Sequence, residues 1–137
     1  MIGAIQSALS GLLAASTRAQ ASADNIANLT TEGSLEPGGQ PPYSTLTTVQ
    51  QTVTDGQGNV EGVTASNVPL SPGFVPAYDP SSPFANSDGL VGVPNTNLAT
   101  EIVNLTVAKT TYAANAKTIQ AASAMEDDLM KMFDKKV

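Results

Sequence analysis

Two carboxylates in one loop-rich stretch, Asp79 and Asp88, are of the type that glycosidases use as acid and base and that calcium loops use as oxygen ligands. Asn86-Ser87-Asp88-Gly89 reproduces only a fragment of an EF-hand loop and lacks the terminal acidic ligand, and ordinary Asp-Gly turn chemistry accounts for it without function. The 137 residues include no histidine, cysteine or tryptophan, so the usual zinc, haem, iron–sulfur and Cys/His nucleophile sites have neither ligands nor base. The chain therefore reads as a non-enzyme with no catalytic residue, metal or cofactor. Loss of an activity on Asp79→Asn or Asp88→Asn would mark the hydrolase alternative.

Charge narrows the partners. Six basic against twelve acidic side chains give a net charge of −6, which excludes nucleic acid as a partner because its backbone is met by clustered Lys and Arg. The apolar run Leu9 to Ala15 follows no basic segment and is far too short to cross a bilayer, which takes about 20 apolar residues. Neither membrane insertion nor a cleaved signal is expected.

The elements that must position any site follow from where the helix breakers fall. All nine prolines lie between Pro37 and Pro94, and nine of the eleven glycines between Gly33 and Gly92. The expected fold is mainly α with a small β part. Long N- and C-terminal helices form a coiled-coil-like pair, with a β-hairpin and a Pro-rich extended middle segment between them. The parts are residues 1–32 and 97–137, a helical core, and residues 33–96, a middle domain. The stretch 32–96 holds Glu32, Glu36, Asp55, Glu61, Asp79 and Asp88 with no basic residue, so it carries the whole negative excess.

In the first helix Ile2, Ile5, Leu9, Leu12, Ser16, Ala19, Ala23 and Ile26 step by threes and fours, the seam of a heptad repeat. Gly3 and Gly11 weaken it by about 1 kcal/mol each relative to Ala, and Gly33 is expected to stop it in the left-handed conformation. The last helix begins after Pro94 with Asn95 or Asn97 as N-cap and Glu101 in its first turn. Its stripe runs through Leu98, Ile102, Leu105, Ala108, Tyr112, Ala116, Ile119, Ala122, Leu129 and Met132. Near its end Glu126, Asp127 and Asp128 with Lys131, Lys135 and Lys136 read as a solvated face, Asp127 pairing with Lys131. Between the helices, Ser44–Thr54 and Asn59–Val68 alternate around the turn Asp55-Gly56-Gln57-Gly58, a β-hairpin. Residues 33–42 are expected to be an extended linker, and the prolines from Pro69 to Pro94 to exclude regular structure.

Two amphipathic helices of unequal length leave apolar stripe uncovered, so the core is completed by other chains, and heterologous contacts of that kind build rings or filaments. Ala21-Ser22-Ala23-Asp24-Asn25-Ile26-Ala27-Asn28, followed by Thr31 and Gly33, resembles the N-terminal signature of the flagellar rod and hook family. Tyr78-Asp79-Pro80, Pro83, Asp88-Gly89, Val91, Pro94-Asn95 and Asn97 resemble the stretch before the C-terminal helix in its proximal-rod members, and Tyr112-Ala113-Ala114-Asn115 sits at the family's Tyr-x-Ala-Asn. Members usually follow Asn-Ile-Ala-Asn with an aromatic and several basic residues, whereas Ser34 to Gln40 intervene here and no Lys or Arg follows Arg18 until Lys109.

The resemblance implies a structural subunit of the basal-body rod in the periplasm, exported by the flagellar type III apparatus and polymerising with itself and with other rod proteins to transmit torque and line the export channel. The assembly interface it implies comprises Ile5, Leu9, Leu12, Ala19, Ala23, Asn25, Ile26 and Asn28 on the first helix. On the second it comprises Leu98, Ile102, Leu105, Tyr112, Asn115 and Ile119, with Tyr78, Asp79, Pro80, Asp88, Gly89, Pro94 and Asn95 as a middle motif. Asn25 takes a packing role there and Asn28 a local capping one. A neighbouring rod paralogue and a secreted coiled-coil adaptor are the alternatives.

Overall fold

In the computed structural model, which describes residues 2–134, two helices flank four strands in chain order. Helix α1 spans Ile2–Ala27 and α2 Leu98–Asp134. At 1.5 Å per residue they are about 39 and about 56 Å long. They are antiparallel, because Asn25 at the end of α1 bonds to Glu101 in the first turn of α2 while Gly11 abuts Asn115. Asn97 caps α2, its Oδ1 accepting the N–H of Thr100 at 3.1 Å. The C-terminal turns of α2 therefore run on past the start of α1.

Strands β1 (Leu46–Thr54) and β2 (Val60–Pro69) form an antiparallel hairpin with a bulge at Val53/Thr54. Asp55 closes its turn, its carboxylate accepting from the N–H groups of Gln57 and Asn59 and from the Asn59 amide. Those bonds hold its carboxyl below the ordinary carboxylate range. The hairpin lies along α1: Ser7 Oγ donates to Glu61 O at 2.7 Å, Val63 N–H to Ser10 Oγ at 3.0 Å, and Asn67 Nδ2 to Thr17 O at 3.1 Å.

The Pro-rich stretch departs from expectation. Strands β3 (Phe74–Tyr78) and β4 (Leu90–Pro94) form a second antiparallel pair, possible because the prolines sit where no ladder N–H is needed. Residues 33–42 are likewise not a free linker. Gly33 and Gly92 exchange both backbone hydrogen bonds, Ser34 N–H donates to Gln40 O, and Leu35 and Pro42 pack on Gly92. Gly33 is thus no left-handed cap; α1 ends six residues earlier, and the crowding a Cβ would meet from Pro41 and Pro42 explains the glycine.

The core has an unusual composition. Besides Pro42 and Pro94, the buried apolar side chains among the described residues are Ala8, Ala14, Ala15, Ala21, Ala108, Ala122 and Val91, with Ser22, Asn25, Thr45 and Glu101 also buried. Small residues let two backbones approach closely, and the larger apolar side chains are left outside.

Candidate assembly interface

Asn25 is the junction of the molecule. It has no exposed surface, and all four of its hydrogen-bonding positions are used. Its Nδ2 donates to Leu46 O at 2.8 Å and to Glu101 Oε1 at 3.1 Å, while its Oδ1 accepts Leu46 N–H at 2.8 Å and Tyr43 Oη–H at 3.0 Å. One amide thereby ties α1 to α2 and to the start of β1. Burial, with the carboxylates of Asp24 and Glu101 nearby, holds the Tyr43 phenol above its ordinary 10.0. Placed in the outer interface by the sequence, Asn25 belongs inside the chain, since nothing of it is left for a neighbour to touch. Asn28 is local as expected: Nδ2 donates to Asp24 O at 2.9 Å and Oδ1 accepts from Thr31 Oγ1 at 3.1 Å.

The face of α1 that meets its own chain is not the heptad seam of large residues. Ala8, Ala15 and Ser22, spaced by seven, meet α2, and Ser7, Ser10, Ala14 and Thr17 meet the hairpin. Gly11 lies at the closest approach, where an added Cβ would stand 2.7 Å from the Asn115 amide. The seam lies about a third of a turn away. Leu9 is 50% exposed, Ala23 is exposed, and Ile5, Leu12, Ala19 and Ile26 are half-buried. Leu13, absent from the seam, is the most exposed leucine of α1 at 63%.

On α2 the seven-residue series Glu101, Ala108, Asn115, Ala122 faces α1, with Leu105 and Ile119 half-buried at its margin. Leu98, Ile102 and Tyr112 are largely exposed. A shallow apolar groove between the helices is lined by Ala15, Ala19, Leu105, Ala108 and Tyr112. Beyond Ala122 the helix exposes Met125, Leu129, Met130, Met132 and Phe133. Lys131 pairs with Asp128 at 3.3 Å rather than with Asp127, and Lys135 and Lys136 lie outside the described residues.

The middle motif is a corner. Gly89 has φ +74°, and an added Cβ would stand 2.9 Å from the Tyr78 ring and 3.2 Å from Pro80, so only glycine fits. Asp79 accepts the N–H and hydroxyl of Ser81 at 3.1 and 2.6 Å, which lowers its pKa, while the carboxylate of Asp88 is exposed. Pro94 is buried, and exposed Asn95 bonds Pro72 O at 3.0 Å.

The accessible surface is 9000 Å² for 14.0 kDa. A compact monomer of that mass exposes about 6,700 Å², so the excess is more than the roughly 800 Å² that one partner contributes to a standard interface. Helices joined through alanine, with leucine, valine and methionine outside, define a subunit made to be completed by neighbours.

Comparison with known proteins gives that class its family. The profile of the "Flagellar basal body rod FlgEFG protein C-terminal" family matches residues 88–132, which take in the Gly89 corner and nearly all of α2. The flagellar basal-body rod protein FlgC of Agrobacterium fabrum is 34% identical over 112 residues, 81% of this chain and 79% of the relative. FlgC of Salmonella typhimurium is 29% identical over 116 residues, covering 85% of each chain. FlgC of Buchnera aphidicola is 30% identical over 118 residues, again 85% of each. The chain belongs to the FlgC family of flagellar basal-body rod proteins. It is a structural subunit of the basal-body rod and not an enzyme.

Proposed function

We propose that this subunit joins the rod through the outward seam of α1 and the exposed flank and overhang of α2, packing against other rod proteins and other copies of itself. The observation that carries the reading is the inversion of the core: alanines are buried while Leu9, Leu13, Ile102, Val103 and Val107 are exposed. Residues 1–32 and 97–137 then form the axial helical core and 33–96 a middle domain stapled to it through Asn25. Covering the outer stripe at about 25 cal/mol per Å² offsets the ordering of the loose helix ends, so folding is completed on assembly. Close-packed helices resist shear and transmit torque, and their inner ends border the channel through which the type III apparatus exports the chain.

Leu9→Asp tests this, because Leu9 lies on that seam, is 50% exposed and contributes little to the isolated chain. The variant should fold and be exported, yet be lost from purified basal bodies with swimming abolished. Wild-type motility would overturn the assignment of this face.

A further inference from the structure

Among the described residues, the outer edges of β2, β3 and β4 are covered or interrupted, and that of β1 is not. In an antiparallel pair, alternate residues turn their N–H and C=O toward the partner strand or away from it. Along β1 the even-numbered residues face away: Leu46 gives both groups to Asn25, and Val63, opposite Thr52, donates to Ser10 and not to β1. On β2, Glu61 O and Val63 N–H are met by Ser7 and Ser10, and the strand runs along α1, to which the Asn67 side chain is also bonded. On β4, Leu90 exchanges bonds with Asn86 at 2.8 and 3.0 Å, Gly92 with Gly33 at 2.8 and 3.0 Å, and Pro94 has no N–H. The outer edge of β3 has Pro76 at its centre. Beyond Leu46, β1 has none of these devices. Leu-Thr-Thr-Val-Gln-Gln-Thr-Val-Thr carries no charge and no proline, and residues 49–54 are all exposed. A long, neutral, β-prone free edge is a template for another strand.

We propose that this edge, centred on Gln50 and Thr52, is a strand-addition site that takes an extended segment of a different subunit in the rod; the proposal rests on the rod reading and deepens it. A second copy is excluded on two grounds. Its other edges are the protected ones just described, and pairing β1 with β1 antiparallel is a two-fold contact, which closes on itself and cannot propagate along a polar rod. Charge specifies the segment further. The hairpin ends in Asp55 and Glu61, and residues 33–96 carry no basic side chain. The added segment is therefore neutral at its centre and bears Lys or Arg where it passes Asp55.

Gln50→Pro tests the site in the full-length chain, because it removes an N–H that faces away from β2 and leaves the hairpin bonds in place. Its circular dichroism and melting temperature should match the wild type, while recovery in purified basal bodies falls at least tenfold and swimming is lost. Thr52→Lys, a charge on the same edge, should do the same and carries the test if Gln50→Pro misfolds. The cysteine-free chain also permits Gln50→Cys, whose single thiol, alkylated with a maleimide that carries a benzophenone, should on illumination yield a cross-link to another rod protein in assembled basal bodies. Full incorporation of both edge variants overturns the proposal, as does a cross-link to a second copy alone. Absence of the wild-type chain from basal bodies would instead bring down the rod reading itself.

Discussion

Asn25 connects more of the structure than any larger side chain. Asn25→Ala leaves Glu101 Oε1, the Tyr43 hydroxyl and both backbone groups of Leu46 without their partner, and should cost about 2–4 kcal/mol in denaturant unfolding. Asn25→Asp should be worse, because it sets a second carboxylate against Glu101. Tyr43 adds a pH dependence. Its folded pKa is raised, so its contribution is complete below the unfolded value of 10.0 and is lost as pH rises through the folded value. Alkaline melts should show this loss in the wild type and not in Tyr43→Phe. Asp55 titrates with the opposite sign: its folded pKa is lowered, so its support of the turn is present above the ordinary carboxylate value and fades as pH falls through the lower folded one. Amide exchange at Gln57 and Asn59 should accelerate only in that acid range. The Asn-Ile-Ala-Asn run singled out both asparagines, yet their roles differ because Asn25 points at two other elements and Asn28 only at its own turn.

Between the helices, the decisive pair is Gly11 with Asn115. Gly11→Val should destabilise the helix pair by about 1–3 kcal/mol, since the new atoms overlap the Asn115 amide. Asn115→Ala in the same chain should return much of that loss, a coupling that a double-mutant cycle measures. Sequence reading weighed Gly11 only as a poor helix former. The signal that locates the true seam is the heptad spacing of small residues, Ala8, Ala15 and Ser22 against Ala108, Asn115 and Ala122. Hydrophobicity pointed instead to the face with the largest side chains, which lies outside the chain's own core. The second β pair was missed for a related reason: proline density argues against strands in general, but not where each proline occupies an edge or unpaired position.

For the whole molecule, the surface of 9000 Å² predicts that stability depends on company. The purified chain should melt at a temperature that rises with protein concentration or on addition of other rod proteins, as binding to the folded state requires. A concentration-independent, fully cooperative melt of the isolated chain would mean that the alanine core suffices and the outer stripe is not an interface. The overhang of α2 should fray first, because Met125, Leu129 and Phe133 are left exposed among the described residues.

Residue types alone determined the two-helix plan and the first hairpin, because helix breakers and alternation are local facts. Motif resemblance alone pointed to the rod family. Only tertiary structure decided which side of each helix is inside, that Asn25 rather than a leucine holds the elements together, and that a glycine bridge and a proline edge convert the middle into a second sheet. Those outcomes depend on how closely two backbones approach and on which polar atoms are satisfied there, quantities that arise between segments distant in the chain and that no single stretch of sequence contains.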